Sequence, residues 1–124
     1  MTSPTQLSLK QLKAEGFVNL AVVEHWNPFA KIRQDLWRFA DLLAICPQQY
    51  VLAVQCTTTG NVSHRLTKMR TDPILTQILA CLAVGIRVEI HGWSKIPVRP
   101  EGRAVRWTCK KVEVTRAILQ RQEP

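Results

Sequence analysis

The sequence predicts an α/β fold, a sandwich of helices around one mixed sheet. Two observations carry this reading. Residues 40–45 (ADLLAI) and 50–57 (YVLAVQCT) are nearly continuous apolar runs, as expected of strands covered on both faces. A helical stretch then separates these runs from two further strand-like segments. The element order is α-β-β-β-α-β-β: a three-stranded meander, a helical crossover and a return to the sheet.

Each element has a local reason. Ser3-Pro4 supplies an N-cap and a proline for the first helical turn, and Gly16 supplies a stop, so a helix is expected over about 4–15. Residues 17–26 (FVNLAVVEHW) are rich in β-branched and aromatic types and read as a strand broken by Asn27-Pro28. Residues 37–46 read as a second strand ended by Pro47, and 50–57 as a third. A helix starts at Gly60-Asn61. A further helix is expected over 73–84, with Asp72 as cap and Gly85 as stop. Strands follow at 86–93 and 105–114, joined by a loop containing Pro97, Pro100 and Gly102. The tail is polar and expected to fray from about 117.

A chain of 124 residues is expected to form one domain, 1–124, with 46% apolar and 21% charged residues marking it as globular. The net charge of +8 makes a polyanion the first partner to consider. Cys46, Cys56, Cys81 and Cys109 have no CxxC or zinc-finger spacing and sit in apolar contexts, so buried free thiols in a reducing cytoplasm are expected. The sequence has neither a secretory leader pattern nor an apolar run long enough for a membrane span.

Asp41 and Gln55 fall on adjacent expected strands. Period-two alternation puts Gln55 and Thr57 on one face of their strand, with Val54 and Cys56 on the other. A carboxylate beside an oxygen donor is how a hard cation such as Mg²⁺ or Mn²⁺ is held. Glu24 and Asp35 are the next candidate acidic ligands. Helical spacing puts His64 and Lys68 on one face. Each residue also has a structural reading: Asp41 as a strand-entry residue paired with Arg38 or Arg65, Gln55 as a satisfied sheet polar group, and Lys68 and His64 as a solvated helix face.

Residues 87–116 hold eight Lys or Arg against three acids, which concentrates +5 of the net +8 there. Arg87, Lys95, Arg99, Arg103, Arg106, Lys110, Lys111 and Arg116 are interleaved with Trp93 and Trp107. Cations around a loop suit phosphates, and aromatics suit stacking on exposed bases. Lys95, Arg99, Arg103, Arg106 and Lys110, with Arg65 and His64, are the candidate nucleic-acid contacts.

The order of these features resembles the PD-(D/E)XK nuclease superfamily. Asp41 matches the Asp of the second core strand, while Gln55 and Thr57 stand where that family has Glu and Lys. The stretch IRQDLWRFADLLAI…VLAVQCTTTGNVSHRLTKM is similar to small phage and bacterial proteins of the nuclease-like or Holliday junction resolvase-like kind. The resemblance covers roughly residues 10–112. It implies a restriction-endonuclease-like αβββαβ core with an extra C-terminal strand. It also implies Mg²⁺-dependent hydrolysis of DNA in the cytoplasm of a bacterium or phage-infected cell. In that reading Asp41, Gln55, Glu24 and Asp35 hold the metal. Lys68 replaces the migrated lysine, and Asp41, Gln55, Thr57 and Lys68 form the catalytic set. A homodimer is a further expectation, with Trp26, Trp37 or the 73–84 helix at its interface. The alternative is a nuclease-fold module that has lost catalysis and binds DNA or a protein, and a third reading, from charge alone, is an RNA-binding accessory protein.

Overall fold

A computed structural model describes residues 3–121. Helix α1 (Pro4–Ala14) starts as expected: Ser3 Oγ accepts from Gln6 N–H, and Gly16 leaves the helix at φ 92°. Strand β1 (Val18–Val22) follows, then a two-stranded ribbon of β2 (His25–Asn27) and β3 (Ile32–Gln34). Strands β4 (Leu42–Cys46) and β5 (Tyr50–Thr58) form a tight antiparallel hairpin. A 3-10 turn (Thr59–Asn61) leads into α2 (Val62–Met69), then α3 (Ile74–Ala83), β6 (Arg87–Pro97), β7 (Val105–Val114) and a short helix α4 (Arg116–Gln120).

The five-stranded sheet has the order β1-β4-β5-β6-β7. Only β5 and β6 run parallel, and the α2–α3 crossover between them supplies the length that a parallel connection needs. The fold is therefore α/β with a mixed central sheet, as the apolar runs predict. Leu42, Ala44, Leu52, Val54 and Cys56 pack on the α1 side with Leu12. Ala53, Val88, Ile90 and Val114 face α2, α3 and α4 with Phe39, Met69 and Ile78. Strand β5 is thus sealed on both faces.

Several boundaries differ from the sequence expectations. The strand expected over 17–26 is two strands in two different sheets, because the chain turns at Val23-Glu24 and β2 pairs with β3 rather than with β4. The strand expected over 37–46 starts only at Leu42. Residues 36–40 form a tight loop closed by Leu36 N–H to Ala40 C=O at 2.9 Å and Phe39 N–H to Leu36 C=O at 3.1 Å. The strand expected over 86–93 runs on to Pro97, since β7 continues to pair with it beyond the end of β5. Where fraying was expected, α4 forms instead: Thr115 Oγ1 caps it and Leu119 is buried in the core. Arg70 Nε and Nη2 also donate to Ile118 C=O at 3.1 and 2.9 Å. Residues 122–124 of the expected tail lie outside the described residues.

A buried polar chain pins α1 to the sheet. Trp93 Nε1–H donates to Ser8 Oγ at 2.9 Å, and Ser8 Oγ shares a hydrogen bond with His91 Nδ1 at 2.9 Å. His91 Nε2 then donates to Glu89 Oε1 at 2.9 Å. Ser8 and His91 are fully buried. No substrate reaches this serine, so the chain is structural. It also shows that Trp93, expected among the candidate stacking residues, belongs to the core. Among the described residues no helix is long and apolar enough to cross a membrane.

Candidate metal centre and its basic cavity

Asp41 sits one residue before β4, and its backbone is clamped from both sides. Its N–H donates to Val54 C=O at 2.8 Å, and its C=O accepts from Val23 N–H at 2.9 Å. The second bond carries the β1–β4 pairing one step further and brings Glu24 alongside. Asp35 arrives from the other direction, directly after β3. Glu24, Asp35 and Asp41 each offer a carboxylate oxygen, and these lie within 4.8 Å of one another. Three hard oxygen donors at this spacing could hold a divalent cation.

Asp41 is only 4% exposed. Its Oδ2 accepts from Cys56 N–H at 2.7 Å and from Gln55 Nε2 at 2.9 Å. Burial, then the hydrogen bond and repulsion from Asp35 and the charge of Glu24, push its carboxyl up to about 8; the Cys56 N–H opposes them. The cluster thus carries more crowded negative charge than it can hold ionised near neutrality, which is the condition a cation relieves.

Gln55 is buried on β5, opposite the entry to β4; it lies on the strand face that the alternation predicts, with Thr57 and away from Val54 and Cys56. Its amide nitrogen, rather than the expected carbonyl oxygen, faces the acids: it also reaches Asp35 Oδ2 at 3.4 Å. In this orientation Gln55 bridges two carboxylates as a donor. Thr57 is buried on the same strand face, paired with Gly92, and is not among the residues lining the cavity described next.

Beside the acids opens a cavity of about 640 Å³ lined by Arg33, Gln34, Asp35, Trp37, Arg38, Arg65 and Lys68. A smaller recess lined by Arg38, Gln55, Arg65 and Lys68 connects the same cations to the buried glutamine. Lys68 and Arg65 come from α2, as expected, whereas His64 on that helix is exposed and does not line the cavity. Arg65 Nε is buried with no hydrogen-bond partner. Arg33 lies 3.6 Å from Glu24 and is otherwise mostly exposed. The sequence reading passed over Arg33 as a site residue and weighed Arg38 only as a partner for Asp41. Their signal was the dense run IRQDLWRF, in which cations and an indole alternate around one of the candidate acids.

Lys95, Arg99, Arg103, Arg106 and Lys110 are all exposed on the β6–β7 arm. Ser94–Pro97 pair only with β7, so this arm projects past the end of β5, the same end of the sheet as Asp41. Trp107 is half-exposed there with Lys95 Nζ 5.0 Å from its ring centre. Cys46, Cys56 and Cys81 are buried free thiols and Cys109 is half-buried; burial pushes Cys56 up to about 12 and Cys109 to about 11, so both are inert.

The fold and site define an α/β protein with a carboxylate cluster that could hold a metal ion, set against a basic cavity. Compared with known proteins, the chain matches no family model, and no curated protein or solved structure matches it.

Proposed function

We propose that this protein is a metal-dependent DNA endonuclease with a restriction-endonuclease-like core, of the PD-(D/E)XK kind, acting on branched or junction DNA. One observation carries the reading: the convergence of Glu24, Asp35 and Asp41 within 4.8 Å, against a cavity lined by Arg33, Arg38, Arg65 and Lys68. Carboxylates that repel phosphate are placed beside cations that attract it, which is the arrangement phosphodiester hydrolysis needs. The three carboxylates form an all-oxygen donor set that fits Mg²⁺ or Mn²⁺. When bound, such an ion supplies a nucleophilic water and neutralises charge on the phosphate. The chain's own residues supply the remainder. Asp41, fixed through its backbone, sets the position of the donor set. Arg65 and Lys68 on α2 draw a phosphate against it, and Lys68 offsets charge that develops in the transition state. Gln55 orients Asp35 and Asp41 through its amide. The exposed cations of the β6–β7 arm hold the flanking DNA backbone, and a homodimer would present two such sites to a junction.

A second reading has its own observation. Gln55 Nε2 bonds both Asp41 and Asp35, and so satisfies lone pairs that a metal would use. This favours a nuclease-fold protein that binds DNA without cutting it.

Incubation with linear, single-stranded and four-way-junction DNA, in Mg²⁺, Mn²⁺ or EDTA, separates the two. Cleavage that needs the metal and disappears in Asp41→Asn supports the nuclease. That variant should fold and bind DNA, because an asparagine in place of the protonated acid still accepts from Gln55 and Cys56 and can donate to Asp35. No cleavage under any condition, with DNA binding intact, selects the second reading.

A further inference from the structure

Two large aromatic side chains are left in solvent, one lining the basic cavity and one on the β2–β3 ribbon beside it. Trp26 is 57% exposed and Trp37 is 37% exposed. Trp37 lines the cavity itself. Trp26 lies directly opposite Arg33 in the β2–β3 ribbon. Opposed residues of an antiparallel pair project from the same face, so Trp26 stands on the side from which Arg33 reaches the cavity.

The backbone holds Trp37 in place against its own preference. Trp37 and Arg38 are consecutive left-handed residues, at φ 53° and 68°. This conformation is uncommon for any side chain and an outlier for a bulky one. The loop persists because Leu36 and Ala40 close it and because the Trp37 ring leans on buried Phe39, with centroids 6.3 Å apart. Backbone strain of this kind gathers where a side chain must be presented. The ribbon is equally set: Asn27 Oδ1 accepts from Phe29 and Ala30 N–H at 3.0 and 3.1 Å, which fixes its turn.

We propose that Trp26 and Trp37 are a stacking platform for unpaired bases, so that the DNA segment entering the cavity is single-stranded. The inference rests on the nuclease reading only for what happens to that segment afterwards. Charge complementarity selects the occupant: Arg33, Arg38, Arg65 and Lys68 share the cavity with Trp37, and cations interleaved with exposed indoles fit a strand whose phosphates and bases are both accessible. A duplex hides its base faces and gains nothing from an indole. Junctions, flaps and frayed ends expose them.

Binding is measured by fluorescence anisotropy in EDTA, with a short labelled oligothymidine and a duplex of equal length. Trp26→Ala and Trp37→Ala should each weaken oligothymidine binding by about fivefold or more while leaving duplex binding nearly unchanged, and Trp26→Phe and Trp37→Phe should restore most of the loss. Unchanged affinity, or equal loss on both DNAs, overturns the proposal. So does a wild-type dimer that dissociates in the alanine variants without any effect on DNA binding, which would assign this face to a second copy of the chain. Because no metal is present, a protein that never cuts leaves this result standing, and a flat result here leaves cleavage untouched.

Discussion

At Asp41 two demands meet. A carboxylate this deeply buried is costly when ionised, and two other acids crowd it. The folded, metal-free protein therefore keeps its proton up to about pH 8, while the unfolded chain releases it near the ordinary value of 3.8. Between those values the folded state binds more protons than the unfolded state. Its contribution to stability is full below the lower value and is lost as the pH rises through the upper one. Thermal melts in EDTA should show the melting temperature falling from about pH 5 to about pH 8, with a flatter profile for Asp41→Asn. A wild-type profile that rises over this range would mean that Asp41 is ionised in the metal-free fold. Metal affinity should run the opposite way, rising with pH, because ligation needs the ionised carboxylate.

The contact between β6 and the start of α2 depends on a glycine. A Cβ on Gly92 would lie 2.5 Å from Val62 Cγ2 and 3.1 Å from Thr59 Cα. Thr59 Oγ1 also donates to Gly92 C=O at 3.0 Å, so the 3-10 turn cannot back away without losing that bond. This close approach positions α2, and with it Arg65 and Lys68, above the acids. Gly92→Ala should cost about 1–3 kcal/mol through overpacking, read as a lower urea midpoint with an unchanged slope. Val62→Ala in the same background should recover part of the loss, because the two positions share one contact. If Gly92→Ala alone leaves the midpoint where it was, α2 has room to shift.

Across the whole molecule, +5 of the net +8 lies in residues 87–116, which include the β6–β7 arm, and the cavity gathers four further cations, Arg33, Arg38, Arg65 and Lys68. Arm and cavity both lie toward the end of the sheet where β5 stops, so the DNA of the proposed function would contact both. Neutralising phosphates releases counterions, so log affinity falls with log salt with a slope of about −0.9 per phosphate contact on duplex DNA. Replacing Arg99, Arg103 and Arg106 together by Ala should flatten the slope of log affinity against log salt by roughly two to three units. An unchanged slope would remove the arm from the interface and leave the cavity cations as the contact.

The α/β class, the sealed β5 strand and the helix stops at Gly16 and Gly85 were legible in the residues because each is a local signal. Apolar runs, side-chain alternation and a glycine at φ 92° or 89° need no knowledge of distant residues. The same alternation put Gln55 and Thr57 on one face of β5, on a strand next to that of Asp41; that Gln55 falls opposite Asp41 is a matter of register. The loop at 36–40 was not legible: Trp37, Phe39 and Ala40 look like strand residues, and only the closure between Leu36 and Ala40 turns them. Nor was the separate β2–β3 ribbon, or the difference between buried Trp93 and half-exposed Trp107, two aromatics on facing strands of one arm. Glu24 and Asp35 stood out as acids, but their meeting with Asp41 depends on Val23 pairing with Asp41 and on the ribbon folding back. Such long-range closures are decided by register between segments far apart in the chain, and the residues at either end carry no local mark of their partner.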